Sequence, residues 1–478
     1  MTTDRRFVRS LRRGIALLTC VALAACGGGG DDGGGQIAGI EGTGIVSGFG
    51  SVWVNGIEFE TDDAEIVFNG EPVGEDALRV GDIVTVRGTI EDDRAEADRI
   101  VFDRVLDGPI SRIEVRNGVG RLVALGETVH IDTDTRLINT PADELAAGDL
   151  IAVSGVAADD GDLRATSIEQ GPTYRPDSTR IDIEGRVRDL AADRFYIGPL
   201  EIDYGGATVD LAAGELKDGA FVQVFGTQGA AADAPLVADS VIVRSRGPAS
   251  DSGHVFRTGR IENFDGPGDF TIAGQRIDAQ DASRNDDASI DPAEGVFAWV
   301  YGTMRDNVLV ADTLTVRPDP NVVIEARIRD IDEANDALTL LSVDVRTRSD
   351  TLYVDERDAA DRRLRFDGLA RGDSVRISGY ATDPGVTATR VTRVDSATTR
   401  TRGPVASVSG SGDALSLEVA GIPVIARVDV TEFEDADGER IDAAAFRSRT
   451  EDGAIVEATG PDNDGRIDTA RRLRLIER

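Results

Sequence analysis

The sequence predicts an all-β protein, built as a tandem array of six small barrels. The first observation behind this is an octapeptide, bounded by two glycines, that recurs six times along the chain. The second is a hairpin pattern upstream of it in several repeats, and the third is a short strand with an alanine near its start downstream of it. Repetition at a regular spacing is typical of an array of one structural unit.

The octapeptide marks the fourth strand of each unit. Its copies start 67, 71, 76, 77 and 81 residues apart, at residues 81–88, 148–155, 219–226, 295–302, 372–379 and 453–460. The alternating apolar residues at its centre predict a strand. We expect the first glycine to be a turn residue at the strand entry. We expect the second to allow a bulge and close backbone approach, so that the strand can coil.

The hairpin is clearest in repeat 1, where residues 51–60 read SVWVNGIEFE. Asn-Gly between two alternating runs is the strongest short-range hairpin signal. The turn pairs Val54 with Ile57, Trp53 with Glu58, and Val52 with Phe59. Alternation then places the apolar side chains on the inner face and Trp53 and Glu58 on the outer face. Equivalent hairpins are predicted at residues 195–203, 270–278 and 415–424.

The order of elements in a unit is three strands, a short helix and two further strands. Helical stretches are expected at 141–148 (PADELAAG) and 210–219 (DLAAGELKDG). Five strands with a helix between the third and fourth is the order expected of an OB-like barrel, although other five-stranded barrels fit as well. The resulting organisation is a signal peptide at 1–25, a linker at 26–36, and repeats 1 to 6 at 37–106, 107–170, 180–245, 254–317, 321–395 and 402–478.

The composition of the segments between repeats favours separately folded repeats joined by solvated linkers. Most are polar and contain Pro, Gly or Ser, as in 104–108 (RVLDG), 171–179 (GPTYRPDST) and 396–403 (SATTRTRG). Units of this size are near the lower limit for independent folding, so contacts between neighbours are expected to help.

The first 36 residues predict export and a lipid anchor. Five arginines precede an apolar run at 15–25 that is too short to span a bilayer. The sequence Leu23-Ala24-Ala25-Cys26 resembles the lipobox of bacterial lipoproteins, in which the cysteine receives fatty acyl chains such as palmitate and becomes the first residue. The alternative is an ordinary signal peptide with an incidental cysteine. In the lipoproteins that this resembles, Asp after the cysteine favours the inner membrane, so Gly27 implies the outer membrane, facing the periplasm or the cell surface.

Composition limits the partners. The formal net charge of −35 argues against nucleic acid and against anionic membrane surfaces, so the acylated cysteine is the expected contact with the bilayer. The chain has two cysteines, and Cys20 lies in the apolar run of the signal. The exported protein would therefore retain one cysteine, and no intrachain disulfide is expected.

The repeats also resemble an uncharacterised group of bacterial exported proteins and lipoproteins with tandem copies of a domain of unknown function. The segments that carry the resemblance are GTGIVSGFGSVWVNGIEF, LRVGDIVTVRG and ADRI, all in repeat 1. Repeats 5 and 6 depart most from this pattern, because repeat 5 has an insertion at 350–368 and repeat 6 has Pro423 in its hairpin. The resemblance implies an exported β-barrel module and supplies no activity.

No enzyme and no cofactor are predicted. The sequence has no nucleophile elbow and no His/Cys cluster with metal-ligand spacing, and His130 and His254 are interpreted as ordinary strand residues. Two acidic turns, at 434–438 and 462–465, resemble the middle of a calcium loop, with Asp462 and Asp464 as weak ligand candidates. Both lack the first and twelfth ligands of an EF-hand, so a solvated turn is the simpler interpretation.

Outward aromatic residues are the remaining binding candidates. Trp53 lies beside Glu58, and alternation in repeat 4 turns Trp299 and Tyr301 outward, an arrangement suited to stacking on a sugar. The simpler alternative is that these rings pack against a neighbouring repeat. The sequence therefore predicts a non-catalytic binding or structural module of the envelope, with a glycan, an envelope protein or calcium as partner. The alternative is a mechanical spacer or adhesin-like stalk without a ligand, and an envelope enzyme is the third candidate.

Overall fold

The computed structural model describes residues 38–91, 94–157, 162–244, 253–284, 290–357, 364–410 and 413–476. The predicted signal peptide, Cys26 and the glycine-rich segment after it lie outside these described residues. From Ile37 onward the chain forms one compact unit, Ile37–Arg478.

The described chain is all-β apart from short turns of helix, and the strands of the first three repeats are as follows. Repeat 1 contains β1 (Ala38–Gly48), β2 (Val52–Val54), β3 (Ile57–Glu60), β4 (Glu65–Phe68), β5 (Glu71–Val73), β6 (Ile83–Glu91) and β7 (Arg94–Phe102). Repeat 2 contains β8 (Leu106–Arg116), β9 (Val119–Ala124), β10 (Glu127–Ile131), β11 (Arg136–Ile138), β12 (Leu150–Ala157) and β13 (Leu163–Gln170). Repeat 3 contains β14 (Ile181–Arg186), β15 (Arg194–Ile197), β16 (Leu200–Asp203), β17 (Thr208–Asp210), β18 (Phe221–Gln228) and β19 (Leu236–Val243).

The last three repeats follow the same plan. Repeat 4 contains β20 (His254–Gly266), β21 (Asp269–Ile272), β22 (Gln275–Asp278), β23 (Ser283–Arg284), β24 (Phe297–Arg305) and β25 (Val308–Arg317). Repeat 5 contains β26 (Val322–Asp332), β27 (Ala337–Leu340), β28 (Val343–Arg346), β29 (Leu352–Asp355), β30 (Ser374–Ala381) and β31 (Val386–Val394). Repeat 6 contains β32 (Arg400–Ser409), β33 (Ala414–Val419), β34 (Ile422–Arg427), β35 (Glu432–Glu434), β36 (Arg440–Ile441), β37 (Ile455–Thr459), β38 (Asp462–Asn463), β39 (Arg466–Ile467) and β40 (Arg472–Ile476).

Five strands of repeat 1 pair around a closed ring. β1 pairs antiparallel with β2 and with β6, β2 pairs with β3, β3 runs parallel to β7, and β7 pairs antiparallel with β6. The same ring of pairings is present in repeats 2, 4 and 5. In repeat 3 an isolated bridge between Arg188 and Tyr196 joins the first two strands. In repeat 6 the last strand is interrupted, so that β39 pairs with β34 and β40 pairs with β37.

The hairpin of repeat 1 has the expected register. Val52 pairs with Phe59, Trp53 with Glu58, and Val54 with Ile57. Val52, Val54 and Phe59 are fully buried in the core of the repeat. The prediction of this hairpin and of its inner face is confirmed.

Both glycines of the octapeptide have the expected roles. The first glycine has a positive φ in all six copies, from +78° to +98°, as a left-handed turn requires. The second glycine lies at a bulge in repeats 1 to 5, where one extra residue of the last strand is left unpaired. A Cβ atom at Gly302 would lie 2.0 Å from the carbonyl oxygen of Val310, so only glycine fits this approach.

The expected helices are mostly absent among the described residues. Single 3₁₀ turns form at Glu75–Ala77, Ala142–Glu144 and Phe366–Gly368, and one α-helix, α1 (Ala443–Arg449), forms in repeat 6. The helix expected at 210–219 does not form, and this prediction is wrong. The segment is short and contains Gly214 and Gly219, both at positive φ, which disfavours helix nucleation. No helix of the described residues is long and apolar enough to span a membrane.

The repeats join in pairs through their first strands, which contradicts the expectation of separately folded repeats. β1 runs parallel to β20, β8 pairs with β14, and β26 pairs with β32. Three sheets of 13, 12 and 15 strands result, one for each pair of repeats. Residues expected as spacers enter strands, since β8 starts inside 104–108 and β32 starts inside 396–403. Strand pairing and shared apolar surface thus replace the solvated linkers that the polar composition suggested.

Candidate functional site

The outer face of the repeat 1 hairpin is occupied by repeat 5. The guanidinium of Arg365 lies 3.8 Å from the centre of the Trp53 ring, in a cation–π contact. Beside the ring, Glu58 accepts a hydrogen bond from the hydroxyl of Ser51. The structure therefore brings Trp53 and Glu58 together, but an arginine of another repeat covers the indole.

Trp299 and Tyr301 lie between repeats 4 and 1. Both rings are half-buried and pack against an apolar cluster that joins the core of repeat 1 to Phe256 and Phe297 of repeat 4. Tyr301 also stacks on His254, with ring centres 5.1 Å apart. The two rings point away from their own barrel, as alternation predicts, and meet another repeat there. Trp53 is contacted by Arg365, and the two rings of repeat 4 pack against an apolar cluster, so the three rings do not form an open sugar platform.

The acidic turns considered for calcium are paired with arginines. Arg329 of repeat 5 lies 3.0 Å from a carboxylate oxygen of Asp464 and 3.8 Å from one of Asp462. In the other turn, Asp437 pairs with Arg116 and Asp435 pairs with Arg449. No group of three or more metal-ligating side chains occurs among the residues that the structure describes. Arginine therefore supplies the positive charge at both turns.

The two histidines lie in different sheets. His130 is on β10, and its Nε2 is 2.7 Å from a carboxylate oxygen of Asp162. His254 is the first residue of β20, where its ring stacks on Tyr301. Neither histidine lines the large cavity between repeats 2, 5 and 6.

A cavity of about 740 Å³ lies where repeats 2, 5 and 6 meet, with two lining residues from repeat 1. Its lining is rich in positive charge. The lining arginines are Arg136 of repeat 2, Arg376 and Arg390 of repeat 5, and Arg400, Arg402, Arg472 and Arg474 of repeat 6. The lining carboxylates are fewer, namely Asp132, Asp143, Asp355, Glu356 and Glu457. A cluster of arginines is unexpected in a chain with a net charge of −35.

Strand alternation places four of these arginines on one face of repeat 6. Arg400 and Arg402 are two residues apart on β32, and the intervening Thr401 is fully buried. Arg472 and Arg474 have the same spacing on β40, with Leu473 buried between them. Residues at i and i+2 of a strand share a face. Each pair therefore points away from the barrel core and toward the cavity.

A single glutamate lies among these four arginines. Glu457, on the central strand β37, is directly opposite Arg402 on one side and Arg474 on the other. Its carboxylate lies 3.2 Å from Arg472 and 3.7 Å from Arg400. Residues directly opposite on neighbouring strands face the same way. On this face, strands β32, β37 and β40 together carry four arginines and one glutamate, Glu457.

The seven arginines fall into two groups by their partners. Four have a carboxylate within ion-pair distance: Arg376 pairs with Glu325 and Glu356, Arg400 with Glu325 and Glu457, Arg472 with Glu457, and Arg474 with Glu434. The other three, Arg136, Arg390 and Arg402, have no such carboxylate among the described residues, and they donate hydrogen bonds to backbone carbonyls. We call these three the unpaired arginines.

Each unpaired arginine is held by backbone oxygens. Arg390 donates to the carbonyls of Thr133 (2.8 Å) and Asp134 (3.0 Å) in repeat 2. Arg136 donates to the carbonyl of Val80 (2.9 Å), and Arg402 donates to the carbonyl of Asn117 (3.3 Å). These bonds position the guanidiniums without neutralising their charge.

Burial is the main cause of a lowered pKa at all three unpaired arginines. For Arg136 the pKa falls to about 10, chiefly through burial; the charge of Asp82 opposes the shift and that of Arg390 adds to it. Burial is also the main cause of the lowered pKa of Arg390 and of Arg402. The charges of Asp134 and Glu457 respectively oppose it, and those of Arg376 and Arg400 add to it. Each group stays cationic at neutral pH. The cavity therefore presents partly desolvated positive charge, which suits the binding of an anion.

The sequence interpretation missed this site. Residues 396–403 are expected as a spacer, yet Arg400 and Arg402 begin a strand that borders the cavity. The available signal was the Arg-x-Arg spacing in 400–402 (RTR) and 472–474 (RLR), which places two arginines on one strand face. The sequence alone could not show that these faces meet repeat 2.

The family comparison agrees with the repeat structure. The chain belongs to the family described as a domain of unknown function (DUF5666), whose model matches residues 35–101, 107–169, 258–314 and 325–392, more than half of the chain. No curated protein matches the chain. Repeats 5 and 6 are expected to depart most from the family pattern. Repeat 6 does lie outside the matched ranges, as does repeat 3, whereas the expectation is wrong for repeat 5, which is matched. The insertion of repeat 5, at 350–368, lies between β28 and β30, the third and fourth strands of the ring. It therefore leaves the ring of paired strands intact.

Proposed function

We propose that this member of the family is a lipid-anchored, non-catalytic binding protein of the bacterial envelope, and that it binds its ligand in the arginine-lined cavity. The observation that carries the proposal is the cavity itself. Its volume of about 740 Å³ lies within the range of small-molecule sites, and three repeats contribute charged side chains to it. A glycan or a small molecule of the envelope is the class of ligand that such a space suits, and an envelope protein is the alternative partner.

We infer further that each repeat is an OB-like barrel. The support is the ring of strand pairings, in which the first strand pairs with the second and the fourth, and the third runs parallel to the fifth. Such a five-stranded Greek-key arrangement is the OB-like pattern. OB-like barrels commonly bind ligands on an outer strand face, and here the outer faces of repeats 5 and 6 border the cavity.

The anchor is proposed from the sequence. The arginine-rich start, the short apolar run and Leu23-Ala24-Ala25-Cys26 support lipidation of Cys26, and Gly27 supports transfer to the outer membrane. The test is metabolic labelling with a palmitate analogue, followed by membrane fractionation. We expect the wild type and Cys20→Ser to carry the label and fractionate with the outer membrane. Cys26→Ser should lose the label and the membrane association. A labelled Cys26→Ser protein would refute the anchor.

The binding role is tested by thermal shift on the full-length protein, purified from membranes in detergent. The probes are soluble cell-wall glycan fragments, small organic acids and calcium, each supplied alone. We expect at least one glycan or acid to raise the unfolding temperature. Calcium should have no effect, because arginines already pair with the acidic turns. An unchanged unfolding temperature with every probe would refute the proposed binding role.

A mechanical spacer is the second candidate. The observation in its favour concerns the two tryptophans expected to bind sugar. Arg365 of repeat 5 covers Trp53, and Trp299 packs against the apolar cluster between repeats 1 and 4. A protein with no small ligand and an intact anchor would support this candidate.

A further inference from the structure

We propose that the cavity binds a small anion carrying two or more carboxylate or phosphate groups, held by Arg136, Arg390 and Arg402. This inference rests on the proposed binding role of the cavity and adds the chemical class of the ligand.

The first step is the local reversal of charge. The chain as a whole is strongly negative, with 87 acidic residues against 52 basic ones. The surface should therefore repel anions at long range. Nevertheless, the three unpaired arginines all line one cavity, and none has a carboxylate within ion-pair distance among the described residues. The other four arginines of the cavity each have a carboxylate within ion-pair distance. The charges of Asp82, Asp134 and Glu457 act on the unpaired arginines only from beyond that distance.

The second step is the cost of the unpaired charge. Arg390 and Arg402 are each 9% exposed. The Nε atoms of Arg390 and of neighbouring Arg400 are buried and have no hydrogen-bond partner among the described residues. A buried cation and an unsatisfied donor both destabilise a fold unless a counter-charge or an acceptor is supplied. A bound carboxylate or phosphate supplies both, because it accepts charge-assisted hydrogen bonds from guanidinium groups.

The third step is the distribution of the three arginines. Arg136 comes from repeat 2, Arg390 from repeat 5 and Arg402 from repeat 6. Arg136 and Arg390 lie close enough for each charge to affect the other, whereas Arg402 lies beside Arg400 and opposite Glu457. The cavity is also far larger than a single ion needs. One ligand with two separated acidic groups could pair one group with Arg136 and Arg390 and the other with Arg402.

The experiment is isothermal titration of the full-length protein in detergent at low ionic strength. The probes are citrate, pyrophosphate and digalacturonate, with cellobiose as the neutral sugar. Citrate and digalacturonate separate a simple acid from an acidic sugar, and pyrophosphate tests phosphate. We expect at least one anion to bind, with an affinity that falls as salt is added. We expect no binding of cellobiose.

The variants locate the site. Arg402→Gln should weaken binding of the anion about tenfold or more, since a charge-assisted hydrogen bond is lost. Arg402→Lys keeps the charge and should lose less. Arg112→Gln removes an exposed arginine of repeat 2 that pairs with Glu114 and does not line the cavity, so its affinity should match the wild type. The thermal unfolding temperature of each variant shows whether it is folded.

The outcomes separate this inference from the proposed function. Binding of cellobiose without binding of any anion would overturn the anion inference and keep the binding role. Binding of no probe would overturn both. Equal anion affinity in wild type and folded Arg402→Gln would show that the anion binds elsewhere, and would overturn the assignment of the site.

Discussion

The clearest prediction for stability concerns Asp182, which is buried where repeats 1, 2 and 3 meet. It lies directly opposite Asp107 in the pairing of β14 with β8, so two carboxyl groups face each other across a strand junction. The amide of Asn69 donates to Asp182, at 3.0 Å. The Oδ1 atoms of Asp182, Asp107 and nearby Asp103 are all buried without a hydrogen-bond partner among the described residues. This arrangement favours protonated carboxyl groups.

The pKa of Asp182 is raised to about 8, chiefly by burial and then by the charges of Asp107, Glu184 and Asp103. Burial likewise raises the pKa of Asp107 to about 6. Arg104 opposes both shifts, and Arg244, 3.7 Å from Asp103, lies at the same junction. The folded protein therefore holds a proton on Asp182 that the unfolded chain has already released near pH 4.

The free energy of unfolding should consequently fall as the pH rises from about 4 to about 8, the pKa of Asp182 in the unfolded and in the folded protein. Between about pH 5.5 and about pH 8, the raised pKa of Asp182 corresponds to a loss of about 3 kcal/mol in the free energy of unfolding. Carboxyl groups with an ordinary pKa are already ionised there, whereas Asp107, with its pKa of about 6, adds to the slope at the acidic end of the range. The substitution Asp182→Asn keeps a neutral group of similar shape. It should flatten the profile and make the variant more stable than the wild type at about pH 8.

The assay is urea unfolding across this pH range, with hydrogen exchange of β8 and β14 to locate the change. Asp189→Asn, at an exposed carboxylate of repeat 3, is the control and should keep the slope of the wild type. Parallel profiles for the wild type and Asp182→Asn would refute the reasoning, because they would mean that Asp182 carries a charge throughout.

Two further predictions test the bulge and the contact between repeats. Gly302→Ala should lower the free energy of unfolding by about 3 kcal/mol or more, because its Cβ would lie 2.0 Å from the carbonyl oxygen of Val310. Gly206→Ala is the matched control, since its Cβ meets nothing within 4 Å, and an equal effect of both in urea unfolding would contradict the steric explanation. Arg365→Ala should lower stability by about 1 kcal/mol and shift the emission of Trp53 to longer wavelength, through loss of the cation–π cover. Unchanged fluorescence would show that repeat 5 does not cover the indole in solution.

The elements that the sequence predicts well are those fixed by local chemistry. Asn55-Gly56 sets the register of the first hairpin, and the octapeptide glycines set a turn and a bulge, because φ and steric contact are determined within a few residues. The helix at 210–219 is predicted wrongly because a short segment with two glycines lacks the length to nucleate. Local patterns thus describe each repeat better than they describe its connections.

The junctions between repeats could not be predicted in the same way. The first strands β1 and β20 pair although repeats 2 and 3 separate them in the chain. Polar composition gives no information on such pairing, since a backbone ladder needs no particular side chain. The outward position of Trp299 follows from alternation, whereas its contact with repeat 1 depends on that distant pairing.

The family model describes the scaffold more than the binding site. Of the unpaired arginines, Arg136 and Arg390 lie inside matched ranges, whereas Arg402 and its neighbours on β32 and β40 lie outside them. The octapeptide glycines form turns and bulges and do not line the cavity. Because alternation leaves every second strand residue free of the core, the outward positions can change without altering the barrel. Ligand preference in such a protein is therefore expected to follow the residues on outward strand faces where distant repeats meet, and the repeated motif alone does not predict it.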